Sequence, residues 1–406
     1  MKRIAGNPYI IKNGNDLTID SLSISKFLEV TKTPFFVFLE NRIKDNVRNF
    51  CQTFKSIFKD IQVFYSFKAN FLPEICRIIC AEGMGAELVG LPELKLALKI
   101  GFSPAKIIIG GPYLPKELIE TSIKLQVKEI IIYHLDYLKK VDSIAQKLNI
   151  VQDVCLRIRS QKFNTKLGIN FNESNLNQLA HLKRKFKNIK INSILSHYTT
   201  QMNSIEQYNK NIDNLVGIFK ILSQKGLNIS NLNLGGGFPE ASILSEKQLK
   251  KVAVNIKQKL SNFELEDKNL YFEPGRYFVG DSGLIIAKII NTTNNRWIFI
   301  NIGNHICPKF ARNSLRFYNI SQLSKPHKFK TSIGGIMPTD QDVLAKNYFF
   351  TKENKKGDLV LITNVGAYTL TFSNRFPYGL PNIFLITERK IKQIFNSTCD
   401  HDFSIF

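Results

Sequence analysis

Several short stretches of this 406-residue chain carry residue types that could do chemistry together. In Phe64-Tyr65-Ser66-Phe67-Lys68-Ala69-Asn70 an apolar run ends in a lysine, and the helix opening near Leu72-Pro73-Glu74 cannot take that lysine into its core. An amine at a strand exit can be partly desolvated, which lowers its pKa and leaves a neutral nucleophile able to attack an aldehyde. The plain alternative is one solvent-facing lysine among the chain's 56 Lys and Arg. The company Lys68 keeps separates the two readings. Glu87 and Arg157 sit in later apolar runs, followed by Ser196-His197-Tyr198-Thr199-Thr200-Gln201, Gly235-Gly236-Gly237-Phe238-Pro239 and Glu273-Pro274-Gly275-Arg276.

Three successive glycines let backbone N–H groups crowd an anion, although alone they read as a flexible turn. Paired with Gly275 and Arg276 in a second loop, they read as a phosphate site. A lysine with a phosphate site suggests pyridoxal 5′-phosphate, whose aldehyde Lys68 would capture and whose phosphate the glycines would hold. Glu273 would keep the ring nitrogen protonated, and His197 would stack on the ring; by itself His197 reads as a satisfied core histidine.

The elements that must position these residues follow from periodicity. Apolar runs at 62–67, 86–89, 106–109, 129–133, 153–158, 191–195, 231–234 and 269–272 alternate with amphipathic segments. One of these, 204–224, repeats Ile205, Tyr208, Ile212, Leu215, Phe219 and Leu222 at steps of three and four. Short buried strands alternating with helices imply a parallel sheet, and this many units imply a (β/α)8 barrel whose strand ends carry the site. Beyond about residue 278 the helices stop, and β runs at 284–290, 297–300, 359–362 and 383–386 predict an all-β domain. The expected division is residues 1–34 as N-terminal strands joining the β domain, with an Asn13-Gly14 hairpin turn, 35–278 as the barrel, and 279–406 as the β domain.

Composition narrows the class. Hydrophobic residues make up 44% of the chain, which suffices for packed cores, and no run approaches the length of a membrane helix. Met1-Lys2-Arg3 leads into Gly6-Asn7-Pro8 and not into an apolar run, so a cytoplasmic protein is expected. Six scattered cysteines predict neither a disulfide scaffold nor a metal site. The net charge of +23 favours polyanions in general, but the basic residues are spread along the chain without a nucleic-acid module.

Taken in order, Tyr65-Ser66-Phe67-Lys68-Ala69-Asn70, Gly85-Ala86-Glu87-Leu88-Val89, Glu93-Leu94, Asn233 to Pro239, Glu273-Pro274-Gly275-Arg276 and Gly366-Ala367-Tyr368-Thr369 resemble the fold-type III PLP-dependent decarboxylases, which act on ornithine, arginine and diaminopimelate. The resemblance implies an alanine-racemase-like barrel with a C-terminal β domain, in a head-to-tail homodimer with shared active sites. It makes Lys68 the Schiff-base lysine, stacks His197 on the cofactor and pairs Glu273 with the pyridine nitrogen. Glu87 and Arg157 complete the cofactor site, and Thr200, Gly235, Gly236, Gly237, Gly275, Arg276 and Tyr368 surround the phosphate.

Departures from the family pattern bear on turnover. Members carry a proton-donating cysteine, contributed by the partner subunit, in a Gly-Pro-x-Cys-x-x-x-Asp stretch. Here Gly335-Ile336-Met337-Pro338-Thr339-Asp340-Gln341-Asp342 puts Pro338 at that position, so Asp340 or a water must act as the acid. Glu87 replaces the usual Asp, Gly90 a Ser, Thr199 a Gly, and Leu167 a Phe in Asn164-Thr165-Lys166-Leu167-Gly168. The runs Gly303-Asn304-His305 and Ala311-Arg312-Asn313 resemble the branch serving antibiotic and siderophore pathways, whose substrates include modified or carrier-bound amino acids. The expected function is decarboxylation of an L-amino acid or a derivative. Two other readings stand beside it: an impaired PLP-binding relative with a regulatory or binding role, and decarboxylation-dependent transamination. Alanine-racemase chemistry fits less well, since Ala69-Asn70 continues as Phe71-Leu72-Pro73 and not as that family's Ala-Tyr-Gly-His.

Overall fold

A computed structural model of the chain describes residues 2–14, 16–162, 165–308, 310 and 315–399. Asn164 and the run 311–313 named above lie outside the described residues. The chain divides into two compact units, Val47–Pro239 with Leu244–Gly275, and Met1–Asn46 with Glu240–Ile243 and Arg276–Phe406.

The first unit is a closed parallel barrel. Its strands are Ile61–Ser66, Gly85–Leu88, Ile107–Gly111, Glu129–Ile132, Gln152–Arg157, Ile189–Leu195, Asn231–Asn233 and Asn269–Phe272. Each pairs with the next, and the last closes on the first with Leu270 opposite Ile61. Runs such as Ile107-Ile108-Ile109 and Ile130-Ile131-Ile132 are buried throughout, as strands covered on both faces must be. Phe64, Ile108, Ile131, Cys155, Leu195 and Tyr271 pack together from six different strands, and Leu167 lies against them. Between the strands run helices such as Pro73–Ala81, Leu91–Ile100 and Ile205–Gln224. The last buries Tyr208, Ile212, Leu215 and Leu222 as its period implies. Ile205 at its first turn is instead exposed, and Phe219 is only half-buried.

Among its described residues the second unit holds two sheets. Phe35–Leu39, expected in the barrel region, is a central strand of a nine-stranded sheet, antiparallel to Gly283–Thr292 and parallel to Asn382–Thr387. A five-residue run of nothing but Phe, Val and Leu suits the centre of either kind of sheet, so its pattern alone does not assign it. The N-terminal strands Lys2–Ile4, Asn7–Asn13, Asp16–Ile19 and Leu22–Ser23 form a sheet of their own and do not extend the larger one. Their Ile10, Leu17 and Ile19 share a core with Phe35, Val37, Leu284, Leu361 and Phe384. Strands at Arg316–Asn319, Phe329–Gly334, Val343–Phe350 and Lys390–Phe395 join those expected from the sequence. Phe329–Gly334, Val343–Phe350 and Lys390–Phe395 escape a hydrophobicity reading because Lys330, Lys346, Asn347, Lys390, Lys392 and Gln393 are exposed within them. Among the described residues no helix is long and apolar enough to cross a membrane.

Candidate active site

The C-terminal ends of the barrel strands bring the charged residues together. Lys68 sits in the 3-10 turn Phe67–Ala69 directly after the first strand. Its Nζ lies 2.9 Å from Oε2 of Glu87, which projects from the second strand. The Lys68 side chain is 41% exposed and ion-paired. Ser66 Oγ donates to the same Glu87 oxygen at 2.5 Å. Burial alone would raise the Glu87 carboxyl, but the Lys68 ammonium and the Ser66 hydroxyl outweigh it and hold the group below its ordinary range.

Arg157 ends the fifth strand; its Nη1 donates to the Tyr133 hydroxyl at 2.6 Å, and its guanidinium lies 4.6 Å from the Tyr133 ring centre. Glu273 follows the eighth strand, buried, and accepts from Asn233 Nδ2 at 2.8 Å. Burial, with the Glu87 charge nearby, pushes the Glu273 carboxyl up to about 7 against the cations Lys68 and Arg157. His197, just past the sixth strand, is pushed down to about 3 by burial and by those two cations. It is therefore a neutral ring at physiological pH, and its Nδ1 accepts the Gly236 N–H at 3.3 Å.

The glycines are required by close packing as well as by any ligand. Gly235 and Gly237 adopt φ of +64° and +88°, a region that side chains disfavour. A Cβ on Gly236 would lie 2.5 Å from the Glu273 carbonyl oxygen, and one on Gly237 would overlap the Thr199 carbonyl oxygen. Gly235 N–H is donated to Asn233 Oδ1 at 2.8 Å, and Met202 N–H to the Gly237 carbonyl at 2.7 Å, so the loop carrying Thr200 is tied to the glycine loop. A Cβ on Gly275 would meet Ala69 at 2.8 Å, beside the Lys68 turn. The triple glycine is thus a tightly wedged turn and not a flexible one.

In the other unit, Arg276 is buried and its guanidinium lies 4.7 Å from the Tyr368 ring centre. Tyr368 has φ +62°, a costly conformation for a bulky residue. The turn is held there by Gly366, whose N–H reaches the Gly280 carbonyl at 2.9 Å and whose Cα faces Val279 too closely for any Cβ. Asp342 organises the stretch from Gly335 to Asp342. It is buried and accepts the N–H groups of Asn304 at 2.6 Å and of Met337 at 2.7 Å. Pro338, Thr339 and Asp340 form the exposed tip of that loop.

Ser66, Tyr133 and Asn233 were given no role from sequence. Ser66 and Tyr133 are polar groups at the ends of otherwise apolar buried runs, which demands a partner, and that is the signal that finds them; Asn233, in Asn231-Leu232-Asn233, carries no such contrast. An amine beside a carboxylate, a buried carboxylate clamped by an amide, a neutral imidazole and loops that admit no side chain fit a phosphorylated aldehyde with a basic ring nitrogen.

Fold and site together define a pyridoxal-phosphate-binding barrel with a β-rich second unit. The chain belongs to the family of pyridoxal-dependent decarboxylases, whose pyridoxal binding domain matches residues 44–280, and pyridoxal 5′-phosphate is its cofactor. It is 24% identical to diaminopimelate decarboxylase of Aquifex aeolicus, the match covering 91% of this chain and 90% of that one. It is 25% identical to the L-glutamyl-[BtrI acyl-carrier protein] decarboxylase of Niallia circulans, covering 92% of each. The solved diaminopimelate decarboxylase of Methanocaldococcus jannaschii shares the fold with a TM-score of 0.85 at 22% identity, covering 97% of this chain and 96% of that one.

Proposed function

We propose that the protein decarboxylates an L-amino acid or an amino-acid-derived substrate, working as a homodimer whose sites draw on both copies. The observation that carries the reading is the Lys68–Glu87 pair at 2.9 Å in the same barrel mouth as a Glu273 carboxylate clamped by Asn233 at 2.8 Å. Bound there, pyridoxal phosphate supplies a sink for the electron pair released when carboxylate leaves the substrate α-carbon. Lys68 would hold the cofactor's aldehyde, and Glu87 would orient that amine. Glu273 would keep a proton on the ring nitrogen, and His197, neutral, would lie against the ring without adding charge. Gly235, Gly236, Gly237, Gly275 and Arg276, with Thr200 and Tyr368, would hold the phosphate.

Proton return falls to Asp340 or to a water, because Pro338 carries no proton to give. The relatives include a decarboxylase named for an acyl-carrier-protein substrate and others named for free diaminopimelate, so both kinds of substrate belong in the test. The exposed Pro338 supports a second reading, decarboxylation-dependent transamination, in which a water would be consumed and the products would be CO2, an aldehyde and pyridoxamine phosphate. The experiment is CO2 release from free and carrier-bound amino acids, with product masses, on the wild type and Pro338→Cys. An amine product, cleaner in Pro338→Cys, is expected. Aldehyde as the main product supports the second reading, and no CO2 from any substrate in either protein defeats both.

A further inference from the structure

Glu240 directly follows the glycine loop in sequence, is fully buried, and was given no role from sequence. Asn364 Nδ2 donates to its Oε1 at 3.2 Å. A buried carboxylate is stable only beside a counter-charge or a set of donors. Arg276, 4% exposed, packs on the same small residue: a Cβ on Gly280 would lie 3.0 Å from Arg276 Cγ and 3.1 Å from Glu240 Cβ. Tyr368 covers one face of the Arg276 guanidinium. Burial disfavours the charged form of that guanidinium, while Tyr368 and Glu240 oppose the effect.

A guanidinium offers its donors in a rigid planar fork, so a carboxylate that anchors the side chain also aims the remaining donors. We propose that Glu240 is a positioning residue that holds Arg276 for the cofactor phosphate and so sets the preference of the protein for a phosphorylated aldehyde over the unphosphorylated one. This rests on the reading that Arg276 meets the phosphate. Asn364 supports it in turn: it adopts φ +65°, and its amide fixes the carboxylate of Glu240.

The test is equilibrium dialysis of the full chain, stripped of cofactor, against pyridoxal 5′-phosphate and against pyridoxal. Glu240→Ala is expected to weaken the phosphorylated ligand roughly tenfold and leave pyridoxal within about twofold, as loss of a buried carboxylate packed beside the guanidinium side chain would. Glu240→Gln keeps the shape and the Asn364 bond but not the charge, and is expected to fall between wild type and Glu240→Ala. If neither variant changes the ratio of the two affinities, or both ligands weaken equally, Glu240 is only structural and the inference fails. Arg276→Ala separates the two layers: if it retains the full preference for phosphate, the assignment of Arg276 fails first. If it abolishes the preference while both Glu240 variants keep it, Glu240 alone is overturned.

Discussion

Four glutamates in one barrel titrate differently because their neighbours differ. Glu87 is held low by Lys68 and Ser66 despite its burial, whereas burial pushes Glu93, Glu129 and Glu273 up to about 7. Glu93 accepts the Val89 N–H at 2.7 Å at the start of a helix, a positioning duty. Glu129, at the start of the fourth strand, is 1% exposed; it is met by Ser193 and by Asn231 at 3.1 Å, while its Oε2 has no hydrogen-bond partner among the described residues. Its proton is held more tightly in the folded chain than in the unfolded one, where the ordinary value of 4.5 applies. Its contribution to stability is therefore fully present below about 4.5 and is lost as pH rises through about 7. Glu129→Gln removes that titration. Unfolding measured at pH 5 and pH 8 is expected to show the variant gaining on wild type by up to about 3 kcal/mol at the higher pH, and an unchanged gap would contradict the buried assignment.

At the level of elements, the strand ends act as a mounting ring, and the glycines decide how closely the rings of loops approach. Gly236→Ala would drive a methyl group against the Glu273 carbonyl, 2.5 Å away, and separate the glycine loop from the loop after the eighth strand. Turnover is expected to fall by roughly 100-fold, since a misplacement of about 1 Å at such a site is that costly to rate; turnover within twofold of wild type would show that the wedge is irrelevant to the chemistry. The eight strands were legible because most are short apolar runs, and Lys68, His197, the glycines and Glu273 stood out because they interrupt the pattern just where a strand ends. Phe35–Leu39 was not legible, because an all-apolar pentapeptide fits the centre of either sheet. Asn233 and Glu240 were not either: their partners Glu273, Asn364 and Arg276 lie tens of residues or more away, and nothing local marks them.

For the whole molecule, the family assignment and the barrel fix what kind of cofactor chemistry the chain supports, while its +23 charge and the exposed Pro338 loop leave room for a distinctive substrate. The account depends on one amine among many lysines. The most direct test is borohydride reduction of the purified protein loaded with pyridoxal phosphate, followed by peptide mass spectrometry, with Lys68→Ala alongside. A single cofactor adduct on Lys68, absent from the variant, is predicted. An adduct on another lysine, or none with the wild type, would contradict the central claim.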